Sequence, residues 1–357
     1  MKILKRIFID GLSGMAIGLF ATLIIGTILE QIGTFVGGDI GHMIVMAASI
    51  AKVLTGAGIG IGVACKLGEE TLVCASAASA GMIGAFATGL LDGSVITNGK
   101  ITLSGPGEPL GAFVAAYIGI ELGRIFVGRT KLDIILTPFI TILGGGVVGL
   151  TVGPYISDLM KQIGEMIRWG TEQQPFLMGI IVSVLMGMIL TLPISSAAIC
   201  AALNLTGLAG GAAVAGCCAQ MVGFAAMSFK ENKWSGLISQ GLGTSMLQMG
   251  NIVKNPRIWI PPTLASAVTG PIATCLFRLQ MNGPAVSSGM GTCGLVGQIG
   301  VYTGWLEEIA AGSRSQITAF DWIGMILICF VLPAVLSLVF GQILRKIGWI
   351  KEDDLKL

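Results

Sequence analysis

Charge is scarce in this sequence. Asp, Glu, Lys and Arg make up 11% of 357 residues, where soluble domains carry roughly 25%. The formal net charge is only +2, which excludes the strongly basic footprint that binds nucleic acid. There is a single histidine, His42. It is expected near a membrane surface, beside Asp39, with no nucleophile close in sequence, so neither a catalytic triad nor a metal site can be assembled around it. No phosphate-binding loop lysine, dinucleotide fingerprint or zinc-binding helix motif is present. The eight cysteines, Cys65, Cys74, Cys200, Cys217, Cys218, Cys275, Cys293 and Cys329, lie in apolar runs at spacings that fit no zinc pattern. They are expected to be small apolar packers, not a disulfide framework. No catalytic residue, metal ligand or cofactor is expected.

Apolar residues and glycine are plentiful. Hydrophobic residues are 54% of the chain, with 54 glycines, and the mean hydropathy is +0.86. Runs of about 20 apolar residues, enough to cross a bilayer, recur throughout. The expected fold is an all-α polytopic membrane protein, one membrane domain over 1–357, with about ten spans. Five are expected in the first half: 11–29, 43–65 (interrupted by Lys52), 71–91, 109–127 and 134–153. Residues 157–174, with Asp158, Lys161, Glu165 and Arg168 on a polar side, suit an amphipathic surface helix. The charge-free run 173–229 holds at least two spans, broken near Pro193, Ser195 and Ser196. Further spans are expected at 234–253, 258–277 and 322–344. The Gly- and Ser-rich stretch 283–306 is a poor continuous helix and suits a re-entrant or broken element. Basic residues cluster at Lys2, Lys5 and Arg6, at Arg124, Arg129 and Lys131, at Lys254 and Arg257, and at Arg345, Lys346 and Lys351. Placing these inside puts both ends of the chain in the cytoplasm and leaves Lys230 and Lys233 outside. The basic start followed by apolar residues to Leu29 is expected to be an uncleaved first span.

The halves align weakly. At an offset of 126, Cys74, Gly81 and Gly84 fall on Cys200, Gly207 and Gly210. At 124, Gly119, Pro138 and Gly146 fall on Gly243, Pro262 and Gly270. This suggests repeats over 44–152 and 170–276, a plan common among solute carriers, whose sites lie where the repeats meet. It also pairs Glu69 and Glu70 with Ser195 and Ser196.

Ionisable groups in spans are costly and usually face a cavity or a partner. Glu108, in Ser104-Gly-Pro-Gly-Glu-Pro-Leu-Gly, precedes a proline suited to the first helical position. It can cap that helix or accept hydroxyls from a solute, and both roles are open. Gly107 lets the backbone approach a ligand. Glu121 and Arg124 are spaced to pair, and Lys52 can face solute or snorkel beside a helix break. Asn204, Ser287, Ser288 and Thr292 are candidates for solute contact. The 287–294 loop is the strongest, because an unwound backbone inside a membrane needs hydrogen-bond partners. Glu108 and this loop are expected to serve one solute.

Ser104-Gly-Pro-Gly-Glu-Pro-Leu-Gly-Ala-Phe-Val, Leu192-Pro-Ile-Ser-Ser-Ala-Ala and Ser288-Gly-Met-Gly-Thr-Cys-Gly-Leu-Val-Gly resemble the EIIC-like membrane family of the bacterial phosphotransferase system, in the branch that includes the toxin regulator PfoR. The resemblance covers nearly the whole chain. It implies a homodimeric carrier in the bacterial cytoplasmic membrane, with a carboxylate and re-entrant loops holding a sugar that a separate EIIB protein, supplied by EIIA, phosphorylates. Glu108 matches the carboxylate by position, with Gly105-Pro-Gly-Glu where glucose-type members have Gly-Ile-Thr-Glu. Two alternatives stand beside this reading: a secondary transporter of a small organic anion, and a membrane solute sensor.

Overall fold

The computed structural model describes residues 6–97, 99–129 and 132–357, so Lys2, Lys5 and Lys131 lie outside the described residues. Nearly all of it is helix; the two strands, β1 (Ile96–Thr97) and β2 (Lys100–Ile101), form one small antiparallel hairpin. The chain divides into two compact units, Met1–Lys161 and Gln162–Leu357.

Unit 1 begins with α1 (Arg6–Val36), a 31-residue apolar helix. Gly37 and Gly38, both with positive φ, turn the chain into α2 (Gly38–Val53), which is separated from α3 (Thr55–Lys66) by a 54° bend. α4 (Thr71–Ala85) and α5 (Pro109–Gly123) are only 15 residues each, too short to cross a bilayer alone. α6 (Asp133–Thr171) is a single 39-residue helix. The expected fifth span and the expected amphipathic surface helix are therefore one continuous helix. Asp158 does pair with Lys161 along it, at 3.2 Å.

Unit 2 contains α7 (Pro175–Thr191), α8 (Ser196–Ala202), α9 (Gly207–Met227), α10 (Phe229–Ile238), α11 (Met249–Lys254), α12 (Ile260–Pro271), α13 (Val296–Ala310) and α14 (Ala319–Lys346). α7 and α9 run parallel, with Gly187 against Gly216 and the Thr191 hydroxyl 3.3 Å from Gln220. The approach is so close that a Cβ on Gly216 would run into the Ser183 carbonyl, which is the small-residue packing that membrane helices use without a hydrophobic driving force. α12 runs back against both, from Trp259, which donates to Gln220 at 3.0 Å, to Gly270 against Gly179.

Residues 229–254, expected to include a span over 234–253, do not cross unit 2. They leave from Lys230 and Glu231, which pair with Glu352 (2.5 Å) and Arg345 (2.7 Å). They return at Asn255, which donates to the Trp349 carbonyl at 2.9 Å. Both ends thus lie at the Arg345 end of unit 2, so Lys230 shares a side with Arg345 and does not stand opposite it. Thr244, with extended backbone, and flanking glycines interrupt the helix at the turn. Residues 279–310 do the same from the other end, where Asn282 hydrogen-bonds Glu308, as the composition of 283–306 predicts. Among the described residues four helices, or five with the bent α2–α3 pair, are long and apolar enough to cross a membrane. Helix length alone does not yield the count of ten.

Candidate functional site

In unit 1 the chain brings three helix ends to one level. Glu69, at the start of α4, pairs with Arg6, and Arg6 pairs with Glu121 at 2.7 Å, so α4 begins and α5 ends beside the first turn of α1. From there α3 passes α1 with Gly62 against Gly14 and Gly58 against Gly18 and Thr22. Gly56 meets Gly81 and Ala85 at the far end of α4. At 1.5 Å per residue, Gly18–Thr22 lies about 18–24 Å from Arg6 along a helix about 46 Å long. The C-terminus of α4 and the N-termini of α3 and α5 therefore converge halfway along α1.

Glu108 stands at that level. Its backbone N–H donates to the Ala85 carbonyl at 2.7 Å, satisfying one of the carbonyls that the end of α4 leaves free. Gly107 makes this possible: its φ is +68°, and a Cβ there would sit 2.7 Å from the same carbonyl. Pro109 takes the first helical position, and the Glu108 carboxylate accepts from Leu110 N at 3.4 Å. This is a long, weak cap that leaves most of the carboxylate's acceptor capacity unused. Among the described residues of unit 1, Glu30 pairs with Lys52 (2.6 Å) and Glu121 also with Arg124 (3.0 Å), while Glu108 has no cationic partner. Lys52 lies just before the α2–α3 bend and pairs with Glu30.

In unit 2 the structure brings the other predicted residues together. Ser195 caps α8 by accepting from Ala198 N at 3.2 Å. Ser196 donates to the Gly289 carbonyl at 2.6 Å and Ser288 to the Leu205 carbonyl at 2.6 Å, with Gly207 and Met281 exchanging both backbone bonds. Thr292, fully buried, donates to the Gly241 carbonyl at the turn of 229–254. These four hydroxyls thus satisfy backbone or cap groups inside the protein. Ser287 is buried and Asn204 exposed, and no hydrogen bond is formed by either side chain among the described residues.

A cavity of about 650 Å³ opens where 279–310 leaves and returns, lined by Arg278, Gln280, Asn282, Trp305, Glu308, Arg314 and Asp321 among others. Arg314 binds Glu308 (3.2 Å) and Asp321 (3.0 Å) and stacks over Trp305. Its volume falls within the range of small-molecule sites. None of these residues is among the site candidates read from the sequence. The signal was available: Glu307, Glu308, Arg314 and Asp321 are the sole charges between Arg278 and Arg345. Among the described residues no cluster of ligating side chains suits a metal ion.

Half-length helices that end inside the membrane, and segments that enter and return from opposite ends, define a polytopic carrier with broken helices. The family model for "Phosphotransferase system, EIIC" matches residues 9–357, and the chain belongs to that family. It is a membrane transporter of the phosphotransferase permease type. A search of curated proteins finds no match.

Proposed function

We propose that this chain carries a sugar or sugar-like solute across the bacterial cytoplasmic membrane, as a homodimer, while a separate EIIB protein supplied by EIIA phosphorylates the solute on the inner side. The observation that supports this most is Glu108: a carboxylate halfway through unit 1, at a helix N-terminus, with no cationic partner among the described residues there. Such a group accepts hydroxyls in the two-acceptor geometry that vicinal diols match. In unit 1 Gly107 stands beside it as a candidate; in unit 2 Asn204 and Ser287 are the candidates, whereas Ser195, Ser196, Ser288 and Thr292 are engaged by the protein's own backbone. The repeats over 44–152 and 170–276 belong to the same proposal.

Orientation follows from charge. Lys230, Lys254, Arg257, Arg345, Lys346 and Lys351 gather at the Arg345 end of unit 2, and Arg278 and Arg314 at the other. By the positive-inside rule the Arg345 end is cytoplasmic, and the 650 Å³ cavity then faces outward as the entrance.

The test is reconstitution. Purified protein in liposomes with EIIA, EIIB and phosphoenolpyruvate should take up and phosphorylate a hexose, and omitting EIIB should abolish it. Accumulation of solute on an ion gradient alone would establish the secondary transporter instead.

A further inference from the structure

The segment that follows α14 is bound by side chains as a peptide ligand is. Asn232 and Gln248 both donate to the Leu355 carbonyl, at 2.7 and 2.8 Å. Asn251 donates to the Lys356 carbonyl at 2.8 Å, and Asn232 accepts from Leu357 N at 2.9 Å. The Ile350 and Leu355 side chains are buried, Leu355 completely. Every one of these amides belongs to 229–254, the element that enters from the Arg345 end and returns there.

The same amides continue inward. Asn251 donates to Gln248 (2.8 Å), Gln248 to Gln240 (2.9 Å), and Gln240 to Ser228 (2.7 Å). Gln240 precedes Gly241, whose carbonyl takes the Thr292 hydroxyl. An unbroken line of neutral hydrogen bonds and one peptide unit therefore joins the segment to the point where the two re-entrant elements touch. Its bonds to 229–254 are between neutral groups that water can replace at little net cost, apart from the exposed Lys230–Glu352 pair, and just beyond that element Asn255 donates to the Asp354 carboxylate at 2.8 Å.

We propose that residues 347–357 are a strap that holds 229–254 closed against Thr292, and that releasing the strap opens a path from the Arg345 end to Thr292 and Cys293. The buried amides of Gln248 and Asn251 fix the strap by its carbonyls, and Leu355 seats it. Closure of this element is then set by occupancy of its amide-lined groove.

Cys293 reports the path, being buried beside Thr292, and Cys329, buried in α14, serves as control. The full chain in nanodiscs is treated with a membrane-impermeant maleimide, and labelling of each cysteine is followed by peptide mass spectrometry. Truncation after Trp349, and separately Leu355→Ser, should speed labelling of Cys293 at least tenfold while Cys329 stays protected. A synthetic 350–357 peptide should restore protection to the truncated chain. Unchanged Cys293 labelling in both variants would overturn the proposal. So would a parallel rise at Cys329, which would make the segment a general support of unit 2. No transport is measured, so either outcome leaves the permease reading untouched.

Discussion

The two units meet the same difficulty, backbone that ends inside an apolar slab, with different chemistry. Unit 1 uses its own backbone: the end of α4 is closed by the N–H of Glu108, threaded past Ala85 by Gly107. Unit 2 adds side chains: beside the Gly207–Met281 backbone pair, Ser196, Ser288 and Thr292 each donate to a carbonyl of another segment. A backbone closure leaves the carboxylate beside it free, whereas a side-chain closure consumes the polar group that sequence inspection would assign to a ligand. Polarity in a broken helix is therefore a poor guide to solute contact until its hydrogen bonds have been traced.

The sharpest way to break this contrast is at the closest helix approach. Gly216→Leu should destabilise unit 2 by about 3 kcal/mol or more, since the backbone of α7 cannot yield to a Cβ. Thermal unfolding of the detergent-solubilised protein would check it. Gly105→Ala in unit 1 meets open space and should cost only the strain of its positive φ, about 1–2 kcal/mol. Next comes Glu108→Gln, expected to weaken hexose binding by roughly 10- to 150-fold, about 1.5–3 kcal/mol for a hydrogen bond to a charged acceptor. The unfolding midpoint should hardly move, because the Leu110 cap is weak. Calorimetric titration decides; unchanged affinity would leave Glu108 a cap. Ser288→Ala should show the opposite split, losing about 1 kcal/mol of stability with solute affinity intact. A loss of affinity without a loss of stability would return Ser288 to the solute and erase the contrast.

The smallest effect concerns pH. The hydrogen bond and charge of Lys230 hold the Glu352 carboxyl below its ordinary value of 4.5, and Lys230 is raised by Glu352 above 10.5. Because the carboxyl is depressed in the folded protein, its contribution is complete above pH 4.5 and fades as pH falls through the lowered value. The Lys230 contribution is complete below pH 10.5 and fades as pH rises through the raised one. Thermal unfolding of wild type and Glu352→Gln should differ slightly between those limits and coincide in acid. A difference that persists in acid would show that Glu352 acts other than by charge.

Much of this architecture was legible in the sequence. Low charge and long apolar runs gave the polytopic class, Pro109 placed Glu108 at a helix start, Pro193 and the serine pair marked a break, and the glycines of 283–306 marked a re-entrant element. What was not legible has one physical cause. An apolar run states that a segment is buried in the membrane but not whether it leaves by the other side. Residues 234–253 have the length of a span and carry no charge. Their return to the Arg345 end is set by partners more than 90 residues away, Glu352 for Lys230 and Trp349 for Asn255. The cavity near Arg314 was missed for the same reason, since Arg278, Glu308 and Asp321 meet only after 279–310 has folded back.

The touch between Thr292 and Gly241 has an electrical consequence. Moving one elementary charge through the full potential of a membrane involves about 2.3 kcal/mol per 100 mV. Where water follows each re-entrant element inward, that drop is compressed into the few ångströms around a single hydrogen bond, and not spread over some 30 Å of hydrocarbon. A charged group displaced by only a short distance there would traverse most of the voltage. With the path from the Arg345 end open to water, the junction would be the place in unit 2 where membrane potential exerts its largest force on a moving ion or side chain.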